Sequence, residues 1–174
     1  VVMVEASQIS APNSLIYFKL RFDRNPLPAI ALGTNSSNLT AIGNDYGFEY
    51  IFERELIALY GKQDVFIPIS TSGNSKNIII AIKKANELGI KTFGLTGIDG
   101  GKMEDLCFTI KVPSAKTEKI QECHILIGHI VCHLIESNLL IKNENKNKIP
   151  DYIIKMLQGI NPFFKYYFLY KLSK

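Results

Sequence analysis

The sequence has little of what marks secreted and membrane proteins. Its 174 residues include three cysteines, Cys107, Cys123 and Cys132, and an odd number without close pairing indicates reduced thiols rather than a disulfide framework. No apolar run is long enough to cross a membrane as a helix. Residues 1–5 lack the basic segment that opens a signal peptide. We therefore expect a cytoplasmic protein without a membrane partner.

A strong excess of one charge is also missing. The net charge is +4, and much of it comes from the last few dozen residues, so the middle of the chain is nearly balanced. This balance does not favour a nucleic-acid partner. Apolar residues make up 47% and charged residues 21%, which is typical of a globular protein, and the length suffices for one domain with a core.

Apolar runs alternate with helical patterns through the central part of the chain. The runs that predict buried strands lie at 29–32, 65–70, 91–95 and 107–112. Helical spacing lies at 49–59, 75–88 and 116–140, with a short helical turn at 39–42 and a turn-rich segment at 43–47. The alternation predicts an α/β fold, a doubly wound parallel sheet flanked by helices.

Three of the predicted strands end in polar turns, which lie at 33–37, 70–75 and 96–101. The carboxyl ends of parallel strands meet at one edge of a sheet, and ligands of doubly wound folds bind at that edge. We therefore expect the three turns to lie near one another, and we expect a ligand site among them.

The turn at 70–75 has the sequence Ser-Thr-Ser-Gly-Asn-Ser and leads into a helical pattern. Hydroxyl and backbone N–H groups at the N-terminus of a helix build an anion site, and the helix dipole favours negative charge there. The alternative is an ordinary strand–turn–helix in which one serine caps the helix. One hydroxyl would be enough for a cap, so the crowding of four favours a phosphate site formed by Ser70, Thr71, Ser72 and Ser75.

Both ends of the chain depart from this pattern. Residues 1–22 have no clear period, although residues 1–4 have the composition of a strand. Residues 141–174 begin as a polar linker and become aromatic and basic from residue 159 onwards. We interpret the last segment as a tail packed loosely on its own domain, with a membrane-surface or partner-binding segment as the alternative. The central domain is expected at 23–140.

Four motifs of the central domain occur at a specific spacing. They are Asn44-Asp45, the turn at 70–75, Thr96-Gly97-Ile98-Asp99-Gly100-Gly101-Lys102 and Gln121-Glu122-Cys123-His124. With them the chain resembles bacterial phosphoheptose isomerases, which are sugar-isomerase (SIS) domain enzymes. The resemblance implies a flavodoxin-like three-layer sandwich that converts D-sedoheptulose 7-phosphate to D-glycero-D-manno-heptose 7-phosphate, for the heptoses of lipopolysaccharide core or capsule. It also implies a cytoplasmic homotetramer with active sites shared between subunits, and zinc in many members.

The resemblance also implies roles for individual residues. Ser70, Thr71, Ser72 and Ser75 resemble the phosphate loop, and Asn44 and Asp45 resemble the substrate-contacting pair. Gln121 and His129 resemble the two residues of the long helix that reach the metal and the sugar. His129 is then the candidate general acid/base that moves a proton between C1 and C2 of the substrate, because the pKa of imidazole lies near neutrality. His124 and His133 lie on the same helix, and only the spacing of His129 from Gln121, set against the family pattern, singles it out.

One part of the family pattern is missing from residues 1–22. The family has a Cys-Gly-Asn-Gly-Gly-Ser turn and then a helix whose histidine and glutamate are the other metal ligands, the glutamate being the partner acid/base. This chain has no glycine before Gly33, no histidine before His124 and no early glutamate except Glu5. Codons for residues 1–6, read in a shifted frame, can spell GGT AAT GGT GGA AGC, which encodes the Gly-Asn-Gly-Gly-Ser of the missing turn. We therefore interpret residues 1–22 as a frameshifted remnant, with the correct frame restored before Arg24.

This gap changes the expected chemistry. Of the implied metal ligands only Gln121 and His129 remain, which are too few to hold zinc firmly. The acid/base pair is reduced to a single base. We therefore expect a chain that folds in its C-terminal two-thirds and has little or no isomerase activity as written.

Two other functions compete with the isomerase. A non-catalytic SIS module would bind a sugar phosphate or a protein partner, as DnaA-initiator-associating proteins do. Those proteins resemble the isomerases but lack the catalytic histidine and have an altered hydroxyl loop, so His129 and the full loop at 70–75 favour the enzyme. A third interpretation is another SIS isomerase, such as an arabinose 5-phosphate isomerase, which is disfavoured because those enzymes usually carry regulatory domains.

Overall fold

The computed structural model describes residues 2–5, 16, 20 and 23–140. The strands in this part of the chain are β1 (Val2–Glu5), β2 (Ala29–Leu32), β3 (Val65–Ile67), β4 (Ile69–Ser70), β5 (Lys91–Thr96) and β6 (Phe108–Lys111). The helices of four residues or more are α1 (Ser36–Asp45), α2 (Ile51–Leu59), α3 (Lys76–Glu87) and α4 (Thr117–Leu140). Most of the segment 1–22 and the whole linker and tail at 141–174 lie outside the described residues.

Every strand pairing in the described sheet is parallel. β3 and β4 follow one path that is interrupted at Pro68, which has no N–H to donate, although its carbonyl oxygen still accepts from Leu95 N at 2.9 Å. Both pieces pair with β5, so the strand predicted at 65–70 is confirmed with a break. With β3 and β4 counted as one strand, the order is the flavodoxin-like order 2-1-3-4-5. The predicted doubly wound fold is confirmed.

The first strand of this sheet comes from the segment that the sequence marks as atypical. β1 lies between β2 and β3, and its residue Met3 is in register with Ile30 on one side and with Phe66 on the other. The sequence of β1, Val-Met-Val-Glu, is largely apolar, as is usual for strands inside parallel sheets. The strand character is therefore confirmed for residues 2–4, and residue 1 lies outside the described residues.

The two faces of the sheet are covered by different helices. Alternate residues of a strand point to opposite faces, and in β2 Leu32 belongs to one buried cluster and Ala29 to another. The cluster around Leu32 packs α2 and α3 against the sheet through Phe52, Leu56, Phe66, Ile78 and Ile82. The cluster around Ala29 contains Ile16 and Cys132, the latter from α4. The result is the three-layer arrangement that the resemblance implies.

A buried ion pair ties α4 to the segment that precedes β2. Arg24 Nε donates to Glu136 Oε1 at 3.1 Å, and the same oxygen accepts from Leu20 N at 3.0 Å. Arg24 also donates to the carbonyl oxygen of Ile16 at 3.1 Å. The side chains of Arg24 and Glu136 are 7% and 0% exposed, so this anchor is part of the interior.

The structure corrects one prediction between β2 and β3. The sequence indicates a short helical turn at 39–42 followed by turns at 43–47, whereas α1 is a helix of ten residues that ends at Asp45. The Asn35 side chain caps it by accepting from Ser37 N and Asn38 N at 3.0 and 3.2 Å. This cap starts the helix early, and Asn44 and Asp45 are therefore helical rather than part of a turn.

None of the helices in the described residues has the length and apolarity to span a membrane.

Candidate functional site

The turn between β4 and α3 brings three serine hydroxyls together. Ser70 Oγ lies 2.8 Å from Ser75 Oγ and 3.5 Å from Ser72 Oγ. The turn is closed by a hydrogen bond from Gly73 N to the carbonyl oxygen of Ser70 at 3.1 Å, and Gly73 has a φ of 65°, which favours glycine. Ser70 is buried, whereas Ser72 and Ser75 are exposed to solvent. The predicted crowding of hydroxyls in this turn is confirmed as a cluster in space.

The simpler interpretation of this turn, a serine that caps the helix, is wrong for α3. Ser75 occupies the N-cap position, but within the described residues its side chain makes no capping hydrogen bond. Its hydroxyl is directed to Ser70 instead. At the start of α3 the N–H of Ile78 donates to Asn77 Oδ1 at 2.9 Å. The N–H groups that precede it, together with the helix dipole, favour an anion at this position.

A cavity of about 410 Å³ opens beside the serine cluster. Polar groups line it from the ends of two strands and the start of α3, namely Gly33, Thr34, Ser70, Thr71, Ser75 and Asn77. Apolar side chains from α1, α2 and the turn before α2 complete the wall. This volume is within the range of small-molecule sites. The cavity confirms that the polar turns at 33–37 and 70–75 share the carboxyl edge of the sheet.

The third polar turn, at 96–101, lies directly against the serine-rich turn. Gly97 N donates to the carbonyl oxygen of Thr71 at 3.0 Å, and Met103 N donates to that of Gly73 at 3.1 Å. A second cavity, of about 260 Å³, lies on this side and is lined in part by Thr71, Asp99 and Thr117. All three turns therefore meet at one edge, as the strand pattern predicts.

Glu55 is a site residue that the sequence analysis missed. It lies on α2, is only 9% exposed, and its Oε2 accepts from Gly33 N at 2.6 Å. Gly33 has a φ of 79° and forms part of the cavity wall. The signal was a glutamate on the apolar face of a helical pattern, between Ile51 and Leu56. A carboxylate in such a place needs a buried partner, and here the partner is a backbone N–H of the site.

Asn44 and Asp45 lie apart from the serine cluster. Both side chains are exposed at the end of α1, where Asn44 Nδ2 donates to Asp45 Oδ1 at 2.8 Å. Neither residue lines either of the two cavities formed by the described residues. Their contact with a substrate stays a prediction.

Gln121 and His129 are half-buried on α4 and are not brought together by it. Eight residues of helix separate them by about 12 Å along the axis. The start of α4 is close to the third turn, because a Cβ on Gly97 would lie 2.6 Å from Ile120 Cδ1. Neither side chain lines the cavity beside the serine cluster. Their roles at the sugar therefore stay predictions.

His124 holds α4 to the end of β5. It is fully buried, and its Nε2–H donates to the carbonyl oxygen of Thr96 at 3.2 Å. Its Nδ1 has no hydrogen-bond partner among the described residues. Burial lowers the pKa of His124, and the bond to Thr96 opposes this shift only in part. A neutral, buried histidine of this kind positions the helix.

The described residues do not form a zinc site. They contain no group of three histidine, cysteine, aspartate or glutamate side chains placed to hold a metal ion. Zinc sites use three or four protein ligands, and Gln121 and His129 alone fall short of this number.

Comparisons with known proteins agree with the fold and with the serine turn. Residues 19–97 match the SIS domain family. The phosphoheptose isomerase of Clostridium acetobutylicum is 55% identical over 122 residues, which are 70% of this chain and 62% of that protein. The phosphoheptose isomerase of Aneurinibacillus thermoaerophilus is 59% identical over 116 residues, which are 66% of this chain and 59% of that protein. The chain thus spans about three fifths of the length of these curated relatives.

Solved structures show the same relationship. A phosphoheptose isomerase from Francisella tularensis matches with a TM-score of 0.74 and 35% identity, over 78% of this chain and 76% of that one. Phosphoheptose isomerase GmhA from Neisseria gonorrhoeae matches with a TM-score of 0.69 and 38% identity over the same shares. The flavodoxin-like sheet order and these matches together show that the chain belongs to the phosphoheptose isomerase family of SIS-domain proteins.

Proposed function

We propose that this chain binds a sugar phosphate at the serine-rich turn and belongs to an isomerase that converts D-sedoheptulose 7-phosphate to D-glycero-D-manno-heptose 7-phosphate. The observation that carries the proposal is the cluster of Ser70, Ser72 and Ser75 at the N-terminus of α3, where the Ser75 hydroxyl is directed to Ser70 and does not cap the helix. The cluster opens to a cavity of about 410 Å³, which suits a small phosphorylated sugar. The names of the relatives support the choice of substrate.

Different residues bind the phosphate end and the sugar end of the substrate. Ser70, Thr71, Ser72 and Ser75 bind the phosphate through hydroxyl and backbone N–H groups. Asn44, Asp45 and Gln121 contact the sugar. His129 takes a proton from one of the carbons C1 and C2 and returns it to the other, while the hydroxyl proton moves between their oxygens. This exchange interconverts the ketose and the aldose without a net change in atoms or charge.

The missing glycine-rich turn limits this activity. We propose that residues 1–22 are a frameshifted remnant, that zinc is held weakly or not at all by Gln121 and His129, and that turnover by the chain as written is slow. The nucleotide sequence through codon 24 tests the first point, because codons that cannot spell the glycine-rich turn in another frame would refute it. Normal turnover of D-sedoheptulose 7-phosphate would refute the last.

The setting of the enzyme is also a proposal. We propose a homotetramer in the cytoplasm that serves the heptose supply of lipopolysaccharide core or capsule. Sedimentation of the purified chain tests the oligomeric state directly, and a monomer at micromolar concentration would contradict it.

Titration with inorganic phosphate tests the site itself. We expect saturable binding that Ser70→Ala weakens by about ten-fold or more, because one hydrogen bond to a charged group contributes about 1.5 kcal/mol or more. Thr92→Ala is the matched control, because it removes a hydroxyl that donates to the carbonyl oxygen of Ile90 at the opposite end of β5. Equal affinities for the two variants would contradict the assignment.

A further inference from the structure

The serine-rich turn is hydrogen-bonded to the segment 96–103, which begins at the last residue of β5. Two backbone hydrogen bonds join them, from Gly97 N to the carbonyl oxygen of Thr71 at 3.0 Å and from Met103 N to that of Gly73 at 3.1 Å. The donors are six positions apart in the chain, and both acceptors belong to the turn that carries the hydroxyl cluster. We name this segment the supporting turn.

Glycines allow the two backbones to touch. A Cβ on Gly73 would lie 1.9 Å from the carbonyl oxygen of Gly100, and a Cβ on Gly101 would lie 2.5 Å from that of Ser72. A Cβ on Gly97 would lie 2.7 Å from the carbonyl oxygen of Thr71. Real side chains cannot approach a carbonyl oxygen this closely, so the contact exists only because these residues are glycines.

Asn74 connects the two turns through its side chain. Its Oδ1 accepts from Lys102 N of the supporting turn at 3.1 Å, and its Nδ2 donates to the carbonyl oxygen of Ser72 at 2.9 Å. Its own backbone N donates to Ser72 Oγ at 3.1 Å. The Asn74 side chain is exposed to solvent, so it is not held in place by core packing. These bonds fix the conformation of a turn that would otherwise be a free loop.

We propose that Asn74 and the supporting turn are positioning elements that hold the serine cluster in its anion-binding geometry before the phosphate arrives. Neither Asn74 nor Gly101 belongs to the hydroxyl set that we assign to the phosphate. Their effect is to reduce the conformational entropy that the turn would lose on binding, which raises affinity without a further contact to the ligand. This inference rests on the proposed phosphate site, and it adds residues that act through that site.

The position of the supporting turn gives it a second contact. Ile98 N donates to the carbonyl oxygen of Ser114 at 3.2 Å, just before α4 begins, and His124 of α4 donates to Thr96. The supporting turn thus lies between the serine-rich turn and the helix that carries Gln121 and His129. Its conformation therefore determines how far the phosphate lies from that helix.

The first test replaces the connecting side chain. Asn74→Ala should weaken the binding of inorganic phosphate by about five- to ten-fold, because two hydrogen bonds that order the turn are lost. The matched control is Asn86→Ala, which removes one bond of the same kind, from Asn86 Nδ2 to the carbonyl oxygen of Leu106 at 2.8 Å, far from the serine-rich turn. Both variants should lower the melting temperature to a similar extent, and only Asn74→Ala should change the phosphate affinity.

The second test changes a glycine of the supporting turn. Gly101→Ala places a methyl group against the carbonyl oxygen of Ser72 and should weaken phosphate binding by about ten-fold or more. The control is Gly89→Ala, because Gly89 has a φ of 71°, close to the 56° of Gly101, and no described atom lies within 4 Å of its added Cβ. Both variants place a side chain at a residue with positive φ, and only Gly101→Ala adds the collision.

The outcomes separate the two proposals. If wild type binds phosphate and both Asn74→Ala and Gly101→Ala bind it as tightly as their controls, the positioning role is wrong and the phosphate site stands. If wild type shows no phosphate binding while it remains folded by circular dichroism, both proposals are wrong. Weaker binding by the two variants, with stability equal to that of the controls, supports the positioning role.

Discussion

The two ends of the proposed substrate site differ in how they are built. The phosphate end consists of contiguous residues, 70–75, in which the hydroxyls of Ser72 and Ser75 lie within 3.5 Å of that of Ser70 and the backbone is bonded to a neighbouring turn. The sugar end draws on Asn44, Asp45, Gln121 and His129, which lie on two helices and line neither end of the cavity beside the serines. One end is assembled within the described part of this chain, and the other is not.

The difference shows which part of such a site is local. A turn between a strand and a helix carries its hydroxyls, its glycine and its helix dipole in one short segment, so the fold of that segment completes it. Side chains on separate helices come together at a ligand only when the segments that connect and position those helices are in place. Under our proposal, the segment 1–22 stands in place of the glycine-rich turn that the family resemblance implies. We therefore expect the serine-rich turn to bind phosphate even in a chain whose sugar-binding residues are not brought together.

The largest expected effect concerns the helix of the sugar end. Glu136→Ala removes one partner of the buried pair with Arg24, and we expect a loss of about 3–5 kcal/mol in the free energy of unfolding because the guanidinium stays buried without its carboxylate. Urea denaturation measures this loss. Lys119→Ala is the control on the same helix, since the exposed pair of Lys119 and Glu122 should contribute less than about 1 kcal/mol. Equal losses for the two variants would show that the anchor of α4 is not where the structure places it.

The next effect concerns the wall of the cavity. Glu55→Leu leaves Gly33 N buried without its acceptor, and we expect a loss of about 1–3 kcal/mol in unfolding free energy. Glu55→Gln keeps an oxygen in the same place and should recover most of that loss. Thermal unfolding of the two variants makes the comparison, and a glutamine variant as unstable as the leucine variant would mean that the hydrogen bond to Gly33 is not the cause.

A smaller effect concerns the dependence of stability on pH, to which His124 contributes. Its pKa in the folded protein lies below the ordinary value of 6.5, chiefly because of burial, so the unfolded chain binds more protons between the two pKa values. The corresponding stability is complete above pH 6.5 and is lost as the pH falls through the folded-state pKa. His124→Gln should flatten the decline in unfolding free energy as the pH falls below 6.5. A decline as steep as that of wild type would assign the acid sensitivity to other groups.

The smallest expected effect tests the separation of the two ends. His129→Asn should change the affinity for inorganic phosphate by less than about two-fold, because His129 does not line the cavity beside the serines. Any residual isomerase activity should disappear in the same variant. A large loss of phosphate affinity would mean that the two ends are coupled more closely than the structure shows.

The sheet and the phosphate end could be predicted from the sequence, because both depend on local patterns. Apolar runs marked β2, the β3–β4 strand, β5 and β6, and the crowded hydroxyls marked the turn at 70–75. The length of α1 was predictable in principle from Asn35, a good N-cap residue at the end of a strand. The glycines and asparagine at 43–47 instead favoured a turn in the sequence-based prediction. The helix nevertheless continues to Asp45.

Other features depend on contacts between distant segments. Asn74 looks like one more polar residue in a polar turn until Lys102, 28 positions away, is seen to donate to it. The same is true of Arg24 and Glu136, which are 112 positions apart. No periodicity in a sequence reports such pairs. The resemblance to a known family named the sugar-end residues, but it could not say whether this chain brings them together.

The most direct test of the central claim compares two ligands on one protein. Inorganic phosphate and D-sedoheptulose 7-phosphate are titrated separately into the wild-type chain by calorimetry, and isomerisation is followed in the second titration. If only the phosphate end is complete, the two dissociation constants should agree within about ten-fold and turnover should be slow. A sugar phosphate that binds more than about a hundred-fold tighter than phosphate, with rapid turnover, would contradict the account.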